Sequence, residues 1–317
     1  MNFPVFDLHC DTAFAMFENK SGERRDLYTN QLHIDLRRAG ELQGYAQCFA
    51  CFTSDNDSLP MPISPNALFE MEYAAITDGV RENSAVIEQA FSVDDITANL
   101  CKGKMSAILT IEGPAGFGYD PDKLEDLYKL GFRITTLGWN EHGPLTGSHC
   151  TGGGLTDLGQ RYVRTAQNLG MLIDVSHISD EGFWDIMGIT QKPVIASHSN
   201  SRSVWDVSRN LTDEMFLALC KTGGVTGINL YSAFLGDDPD LNTVCDHIIH
   251  LLNLDPSGKH IALGGDLDGC DELPRGFSGI NDYPKLAECM LQRGIGEVTV
   301  YDIFWNNAIG VMKHCCI

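Results

Sequence analysis

The sequence has no apolar run of 18 residues, which is about the length that a membrane-spanning helix requires. Its first residues lack the basic region and the apolar core of a secretory signal peptide. Basic residues are also scarce, because 22 Lys and Arg stand against 43 Asp and Glu and leave a formal net charge of −21. A surface with this charge repels phosphate backbones and anionic lipids. We therefore expect neither a nucleic-acid partner nor a membrane partner.

Signatures of several other protein classes are missing as well. The sequence has no G-x-S-x-G elbow and no G-x-G-x-x-G after a strand, so a serine hydrolase triad and a Rossmann site have no support. The 11 cysteines are odd in number and have no framework spacing, which favours a reducing cytoplasm. The pair Cys48 and Cys51 lies within an apolar segment and is typical of buried free thiols.

Short apolar, β-branched segments alternate with helical stretches along the whole chain. With 317 residues, of which 43 % are hydrophobic, the chain can bury a sizeable core. Eight strands with intervening helices predict an α/β fold, a single (β/α)₈ TIM barrel over residues 1–317, because no linker or repeat divides the chain. A doubly wound open sheet is the alternative, since periodicity does not show closure. The predicted strands are residues 4–11, 45–52, 106–113, 132–140, 172–179, 193–200, 223–230 and 260–268.

Two long loops follow predicted strands and should lie over the carboxyl face of the sheet. Residues 54–65 and 141–154 are expected there either as ordinary surface loops or as a lid or substrate wall. His142 and His149, in the second loop, are interpreted as solvated, with a substrate contact as the alternative. The predicted helices are residues 66–90, 155–169, 180–188, 212–221, 241–252, 283–292 and 295–312.

Two successive apolar runs stop at the dipeptide Ser-His, and they suggest a site. We predict that His177 and His198 are the last residues of neighbouring parallel strands, which would place two imidazoles side by side. In parallel α/β folds, ligands and catalytic groups lie at this carboxyl edge. A repeated strand-terminal histidine therefore indicates a binding site more strongly than a single one does.

Two other strand ends carry groups that bind metals. The first strand ends with His9, Cys10 and Asp11, and alternation along a strand directs His9 and Asp11 to one side. The third ends with Glu112, whose two oxygens could bridge two ions about 3.5–4 Å apart. Nitrogen and oxygen ligands suit a borderline-soft divalent metal. We predict two overlapping sites, bridged by Glu112 and a water or hydroxide, whose ligands are His9, Asp11, Glu112, His177 and His198.

The eighth predicted strand ends near Asp266, which suits a proton shuttle or a carboxylate that binds an ammonium group. A capping or turn aspartate is the structural alternative for Asp266. Together with the predicted ligands, this residue points to a two-metal hydrolase.

With these motifs, the chain resembles a known family along nearly its whole length. It is similar to the membrane dipeptidase (renal dipeptidase) family of zinc metallopeptidases, peptidase family M19, in its bacterial, unanchored form. The motifs that carry the resemblance are Asp7-Leu8-His9-Cys10-Asp11, Ile111-Glu112-Gly113, Ile173-Asp174-Val175-Ser176-His177, Ala196-Ser197-His198-Ser199, Arg209-Asn210-Leu211-Thr212-Asp213, Gly264-Gly265-Asp266-Leu267-Asp268-Gly269 and Asn306-Asn307.

The resemblance implies an amidohydrolase-type barrel with two zinc ions, a soluble cytoplasmic location and a homodimer. It places the zinc ligands on the five residues already predicted. It further implies that Asp266 is the catalytic aspartate, that Arg209 binds the substrate carboxylate, and that Tyr231 supplies a hydroxyl to the substrate pocket. The implied reaction is hydrolysis of dipeptides, with D-residues at the C-terminal position among the candidates, by a hydroxide that bridges the metals.

One departure from the family pattern concerns the oxyanion. After the fourth strand, the mammalian members carry a histidine that helps to hold the transition-state oxyanion, whereas this chain has Leu137-Gly138-Trp139-Asn140. We expect Asn140 to donate a hydrogen bond in its place.

Two alternatives remain at the level of sequence. A lactonase or deaminase of the wider amidohydrolase group would keep the barrel and the metals, but such enzymes usually open with H-x-H, and His9-x-Asp11 and Arg209 favour the dipeptidase. The other alternative is a metal-binding barrel without catalysis, which the intact set of ligands and Asp266 disfavours.

Overall fold

The structure, a computed structural model, describes residues 3–17, 26–55 and 63–315. Eight of its strands form a parallel barrel in the order β7-β6-β5-β4-β2-β1-β9-β8, and β3 pairs with the start of β4. The strands are β1 (Val5–Cys10), β2 (Tyr45–Phe52), β3 (Ile87–Gln89), β4 (Met105–Glu112), β5 (Phe132–Thr136), β6 (Leu172–Asp174), β7 (Val194–Ile195), β8 (Thr226–Ile228) and β9 (Ile261–Leu263).

Helices follow most of these strands and cover the barrel. Among the described residues, no helix is both long and apolar enough to cross a membrane. The helices are α1 (Thr12–Ala15), α2 (Leu36–Ala39), α3 (Pro65–Glu82), α4 (Val93–Cys101), α5 (Leu124–Leu130), α6 (Asp157–Leu169), α7 (Asp180–Ile189), α8 (Asp213–Thr222), α9 (Leu241–Leu254), α10 (Tyr283–Gln292), α11 (Glu297–Tyr301) and α12 (Asn307–Met312).

The ring closes between β7 and β8, where a bridge joins Ala196 to Thr226. The amide of Ala196 donates to Val225 O at 3.0 Å, and the amide of Gly227 donates to Ala196 O at 2.8 Å. This closure confirms the predicted barrel and excludes the open sheet.

The interior of the barrel is packed at the end where the strands begin. One buried cluster collects residues from seven of the eight barrel strands, including Phe6, Leu8 and Ile108, together with Val225 just before β8. The ring of Trp305 joins this cluster from the C-terminal segment and lies 5.8 Å from the ring of Phe6. Because apolar side chains fill this end, the polar groups of the interior collect at the carboxyl ends of the strands.

Several predicted boundaries were wrong. The helix predicted over residues 66–90 ends at Glu82, because the chain turns at Asn83 and then forms β3, too short for periodicity to reveal. Helix α4 was missed, although Ser92 caps it by accepting from the amide of Asp95 at 3.1 Å. The helix predicted over 295–312 is divided by a π-helical turn, Asp302–Asn306. Residues 56–62 of the predicted loop 54–65 lie outside the described residues.

Two glycines allow neighbouring strands to approach closely. A Cβ built on Gly227 or Gly264 would lie 1.9 or 1.7 Å from the carbonyl oxygen of Ser197. Since a backbone atom cannot move aside as a side chain does, the packing of β7 against β8 and β9 requires glycine here.

We predict that Gly264→Ala lowers the free energy of unfolding by about 3 kcal/mol, because the new methyl group collides with the Ser197 carbonyl. The matched control is Gly310→Ala, since no atom lies within 4 Å of its added Cβ. Alanine in that helix should be neutral or stabilise by up to about 1 kcal/mol. Urea denaturation measures both variants, and equal stability of the two would contradict the steric argument.

Candidate metal centre

The two Ser-His segments are turns beyond the strands rather than strand ends. His177 lies three residues after the last residue of β6, and His198 lies three residues after the last residue of β7. The prediction that they end the strands was therefore wrong, but their Nε2 atoms lie 2.9 Å apart. The turns carry the imidazoles over the barrel mouth, and His177 adopts a left-handed backbone conformation with φ of 71°.

A buried carboxylate holds both turns. Asp174 Oδ1 accepts from the amides of Ser176 and Ser197, each at 2.9 Å. The Ser197 hydroxyl donates to the other oxygen of Asp174 and lies 2.7 Å from His198 Nδ1. The serine of the second Ser-His pair therefore positions the histidine that follows it.

The groups predicted on β1 and β4 lie beside these histidines. His9 Nε2 is 3.4 Å from Asp11 Oδ2 and 3.2 Å from Glu112 Oε2. The other oxygen of Glu112, Oε1, is 2.9 Å from His177 Nε2 and 3.9 Å from His198 Nε2. The rings of His9 and His198 are stacked with centroids 3.8 Å apart. The structure thus brings all five predicted ligands together, with Glu112 between two groups.

The hydrogen-bond partners of the imidazoles identify the atoms that are free to bind a cation. His177 Nδ1 lies 2.9 Å from the carbonyl oxygen of the Asn140 side chain, which only accepts, so this nitrogen carries the proton. The Ser197 hydroxyl donates to Asp174, so it accepts from His198 Nδ1. Both Nε2 atoms therefore present lone pairs, and these face each other and Glu112 Oε1.

Lone pairs gathered in this way repel one another unless a cation lies between them. The buried atoms His9 Nε2, Asp11 Oδ1 and Glu112 Oε2 also lack hydrogen-bond partners among the described residues. The cluster contains two groups of three residues whose potential ligand atoms all lie within 4.8 Å of one another. One group is His9, Glu112 and His198, and the other is His9, Asp11 and Asp266. This donor set of nitrogen and oxygen atoms fits divalent metal ions such as zinc.

Burial and charge shift the pKa values of the cluster. Burial opposes protonation of His9, but the carboxylates of Glu112 and Asp11 raise the pKa of His9 well above its usual value. Burial raises the pKa of Asp11 to about 6, and the Glu112 carboxylate adds to this shift. Burial lowers the pKa of His177 and His198 well below the usual value, with Arg209 and neighbouring imidazoles contributing. The last two rings are therefore neutral, as metal ligands must be.

Asp266 lies at the same mouth, three residues beyond β9. Its Oδ2 accepts from the Asn229 amide at 3.0 Å, and its Oδ1 is 3.8 Å from His9 Nε2. The backbone of Asp266 is left-handed, with φ of 56°. Burial raises the pKa of this carboxyl to about 8, although the positive charge of His9 opposes the shift. Asn229 therefore holds Oδ2 of Asp266, and Oδ1 faces the cluster of predicted ligands.

Arg209 and Tyr231 lie beside the cluster. The buried Arg209 guanidinium donates to Ser199 Oγ at 3.2 Å and to His177 Nε2 at 3.2 Å, while its Nε has no partner among the described residues. Phe234 connects it to Tyr231, since the guanidinium carbon lies 5.2 Å from the Phe234 ring and the two rings are 4.8 Å apart. Tyr231 also lines a cavity of about 510 Å³.

Sequence reasoning missed the role of His149. This half-buried ring contacts Asn140 Oδ1 through Nε2 at 2.9 Å and Ser208 Oγ through Nδ1 at 2.8 Å, so both of its nitrogens have protein partners. Its amide donates to His177 O at 2.8 Å. Burial, with Arg209 and Arg202 nearby, lowers the pKa of His149 to about 4. The only sequence signal for this role of His149 was its place in a glycine-rich loop after a predicted strand. His142, in the same loop, is exposed as predicted.

Asn140 is thereby a partner of two histidines. Its side-chain oxygen lies 2.9 Å from both His177 Nδ1 and His149 Nε2. This arrangement orients the His177 ring toward Glu112, as a second layer of hydrogen bonds does around metal ligands. Its amide group has no hydrogen bond among the described residues.

A parallel eight-stranded barrel with imidazoles and carboxylates converging at its carboxyl mouth has the architecture of a metal-dependent barrel enzyme. Comparison with known proteins identifies the family. A family model described as membrane dipeptidase (peptidase family M19) matches residues 1–315. The chain therefore belongs to this family of metallo-dipeptidases, which confirms the resemblance found in the sequence.

Individual relatives agree with this assignment. An uncharacterized dipeptidase of Schizosaccharomyces pombe is 29 % identical over 98 % of this chain and 81 % of its own length. Dipeptidase 3 of Mus musculus is 27 % identical over 98 % of this chain but only 64 % of its own length. The crystal structure of a metallopeptidase from Rhodobacter sphaeroides, liganded with a phosphinate mimic of the dipeptide L-Ala-D-Ala, matches all of both chains with a TM-score of 0.90 at 23 % identity. At that identity the structural likeness concerns the fold.

We predict that Asn140→Ala weakens metal binding by about 10- to 100-fold, because the His177 ring loses the acceptor that orients it. Asn140→Asp keeps an acceptor and should restore most of the affinity. Competition with a chromogenic chelator measures the metal affinity directly. An unchanged affinity in Asn140→Ala would show that packing alone holds the His177 ring.

Proposed function

We propose that this protein is a dinuclear zinc dipeptidase. The observation that carries the proposal is the position of Glu112, whose Oε2 faces His9 at 3.2 Å while its Oε1 faces His177 at 2.9 Å. A carboxylate between two groups of ligands suits a bridge between two ions. His9 and Asp11 would hold one zinc ion, and His177 and His198 would hold the other.

The bound ions would supply a water of lowered pKa and a Lewis acid for the scissile carbonyl. Asp266 is suited to take the proton through Oδ1, because Asn229 occupies its Oδ2 at 3.0 Å. It would then pass this proton to the leaving amine. Burial raises the pKa of Asp266 to about 8, which makes it a stronger base than an exposed carboxylate, and bound cations would lower this value.

Arg209 and its neighbours would select the substrate. A buried guanidinium beside His177 is suited to pair with the free carboxylate of a substrate that ends close to the metals, which restricts substrates to about two residues. The amide of Asn140 remains for donation to the oxyanion, since its oxygen already serves His177 and His149. Tyr231 would contribute its hydroxyl to the pocket wall.

The stereochemistry of the accepted dipeptides is proposed from a structural relative. The Rhodobacter sphaeroides metallopeptidase, which has the same fold, holds a mimic of L-Ala-D-Ala. We propose that this protein likewise tolerates D-residues at the C-terminal position of its dipeptides.

Because the 11 cysteines are odd in number and without framework spacing, we also propose a reducing, cytoplasmic location.

A panel of dipeptides with L- and D-residues at the second position tests the activity. We expect turnover that is lost on chelation and restored by zinc, with two equivalents of zinc bound at the candidate metal centre of the active protein. N-acetylated tripeptides and a lactone serve as controls. Turnover of the lactone without any dipeptide would favour the lactonase alternative, and turnover after complete metal removal would contradict the metal mechanism.

We predict that Asp266→Asn lowers kcat by about 10²- to 10⁴-fold while leaving the bound zinc unchanged, because the amide cannot accept the proton. A base loses activity as the pH falls below its pKa, so the wild-type rate should decline in acid. This acidic decline should be absent from the residual rate of the variant. Full activity of Asp266→Asn would show that another group moves the proton.

A further inference from the structure

A second cluster of metal-binding side chains lies away from the candidate metal centre. Cys220, Asp255 and His260 each offer one potential ligand atom, and the three atoms lie within 4.8 Å of one another. Cys220 belongs to α8, Asp255 follows the end of α9, and His260 directly precedes β9. Since Asp266 follows β9, this cluster lies at the opposite end of that strand.

The side chains of this cluster are held in place by neighbouring groups. His260 Nδ1 lies 2.7 Å from the carbonyl oxygen of Gly224, so Nδ1 carries the proton and Nε2 keeps its lone pair. The carboxylate of Asp255 accepts from the Ser257 amide at 3.2 Å and from the Ser257 hydroxyl at 2.8 Å. Such supporting hydrogen bonds fix the tautomer and the orientation of metal ligands.

The three donor atoms together favour zinc-class divalent cations. Sulfur, imidazole nitrogen and carboxylate oxygen are the ligands that zinc takes in proteins, and three protein ligands leave one position for water. All three residues are half-buried, so a cation can reach them without the cluster being fully solvated. A thiolate and a carboxylate together balance the charge of a divalent ion.

We propose that Cys220, Asp255 and His260 bind one zinc-class divalent cation, separate from the catalytic centre and joining α8 and α9 to the start of β9. Binding forms a bond from the cation to the sulfur and releases the thiol proton to solvent. Because this proton must leave, binding should strengthen with rising pH.

Cobalt(II) distinguishes this site from the catalytic centre. The predicted catalytic ligands are nitrogen and oxygen atoms only, whereas Cys220 would give a sulfur-to-cobalt charge-transfer absorption in the near ultraviolet. We expect metal-free, full-length protein to develop this absorption on titration with cobalt and to bind one equivalent beyond the catalytic ions. Cys220→Ser should abolish the absorption and the extra equivalent, and His260→Gln should diminish both.

Other thiols provide matched controls. Cys150 is exposed beside His149 at the catalytic mouth, and Cys289 lies with its sulfur 3.5 Å from that of Cys245. Cys150→Ser and Cys289→Ser should keep the absorption. Circular dichroism checks that each variant is folded. If Cys220→Ser does not fold, His260→Gln provides the test instead. Absence of the absorption in the wild type, or an absorption of undiminished intensity in a folded Cys220→Ser or His260→Gln variant, would overturn the proposal.

Discussion

The carboxylate of Asp174 makes the hydrogen bonds on which the barrel mouth depends. It is buried, yet its two oxygens accept from the amides of Ser176 and Ser197 and from the Ser197 hydroxyl. A buried charge is tolerated only where hydrogen bonds replace its hydration. Here those bonds also fix two turns on neighbouring strands at once. The positions of both histidines therefore follow from one carboxylate at the end of β6.

This arrangement concentrates groups that repel one another. Glu112 and Asp11 lie near each other, and lone pairs of His177 and His198 face the same space. Two positive groups reduce this repulsion in part. The carboxylates raise the pKa of His9, which favours its protonated form, and the Arg209 guanidinium lies beside His177. Buried atoms of His9, Asp11 and Glu112 still have no hydrogen bond among the described residues. A site assembled at such electrostatic cost fits cations that bind all these atoms, because each ion would turn repulsion into coordination.

The meeting of the five predicted ligand residues was predictable because each follows an apolar run, and parallel strands bring their carboxyl ends to the same end of a barrel. The same reasoning could not find His149, since it reaches Asn140 through a glycine-rich loop that folds back onto the turn after β6. It also placed the strand ends at His177 and His198, because apolar residues such as Val175 continue past the last paired residue. Hydrophobic patterns predict which segments are buried, but strand pairing and loop conformation depend on contacts distant in sequence.

The opposite ends of β9 link the two clusters physically. His260 and Asp266 flank the same short strand, Ile261–Leu263, and Gly264 packs directly on the Ser197 carbonyl. In barrels of this kind, residues at the carboxyl end serve chemistry, and residues at the other end serve stability. A cation on His260 would tie the start of β9 to α8 and α9, while the proposed catalytic ions would act at its end. The strand that presents Asp266 would then be anchored on both sides, which suits a base that must keep a fixed distance from its substrate.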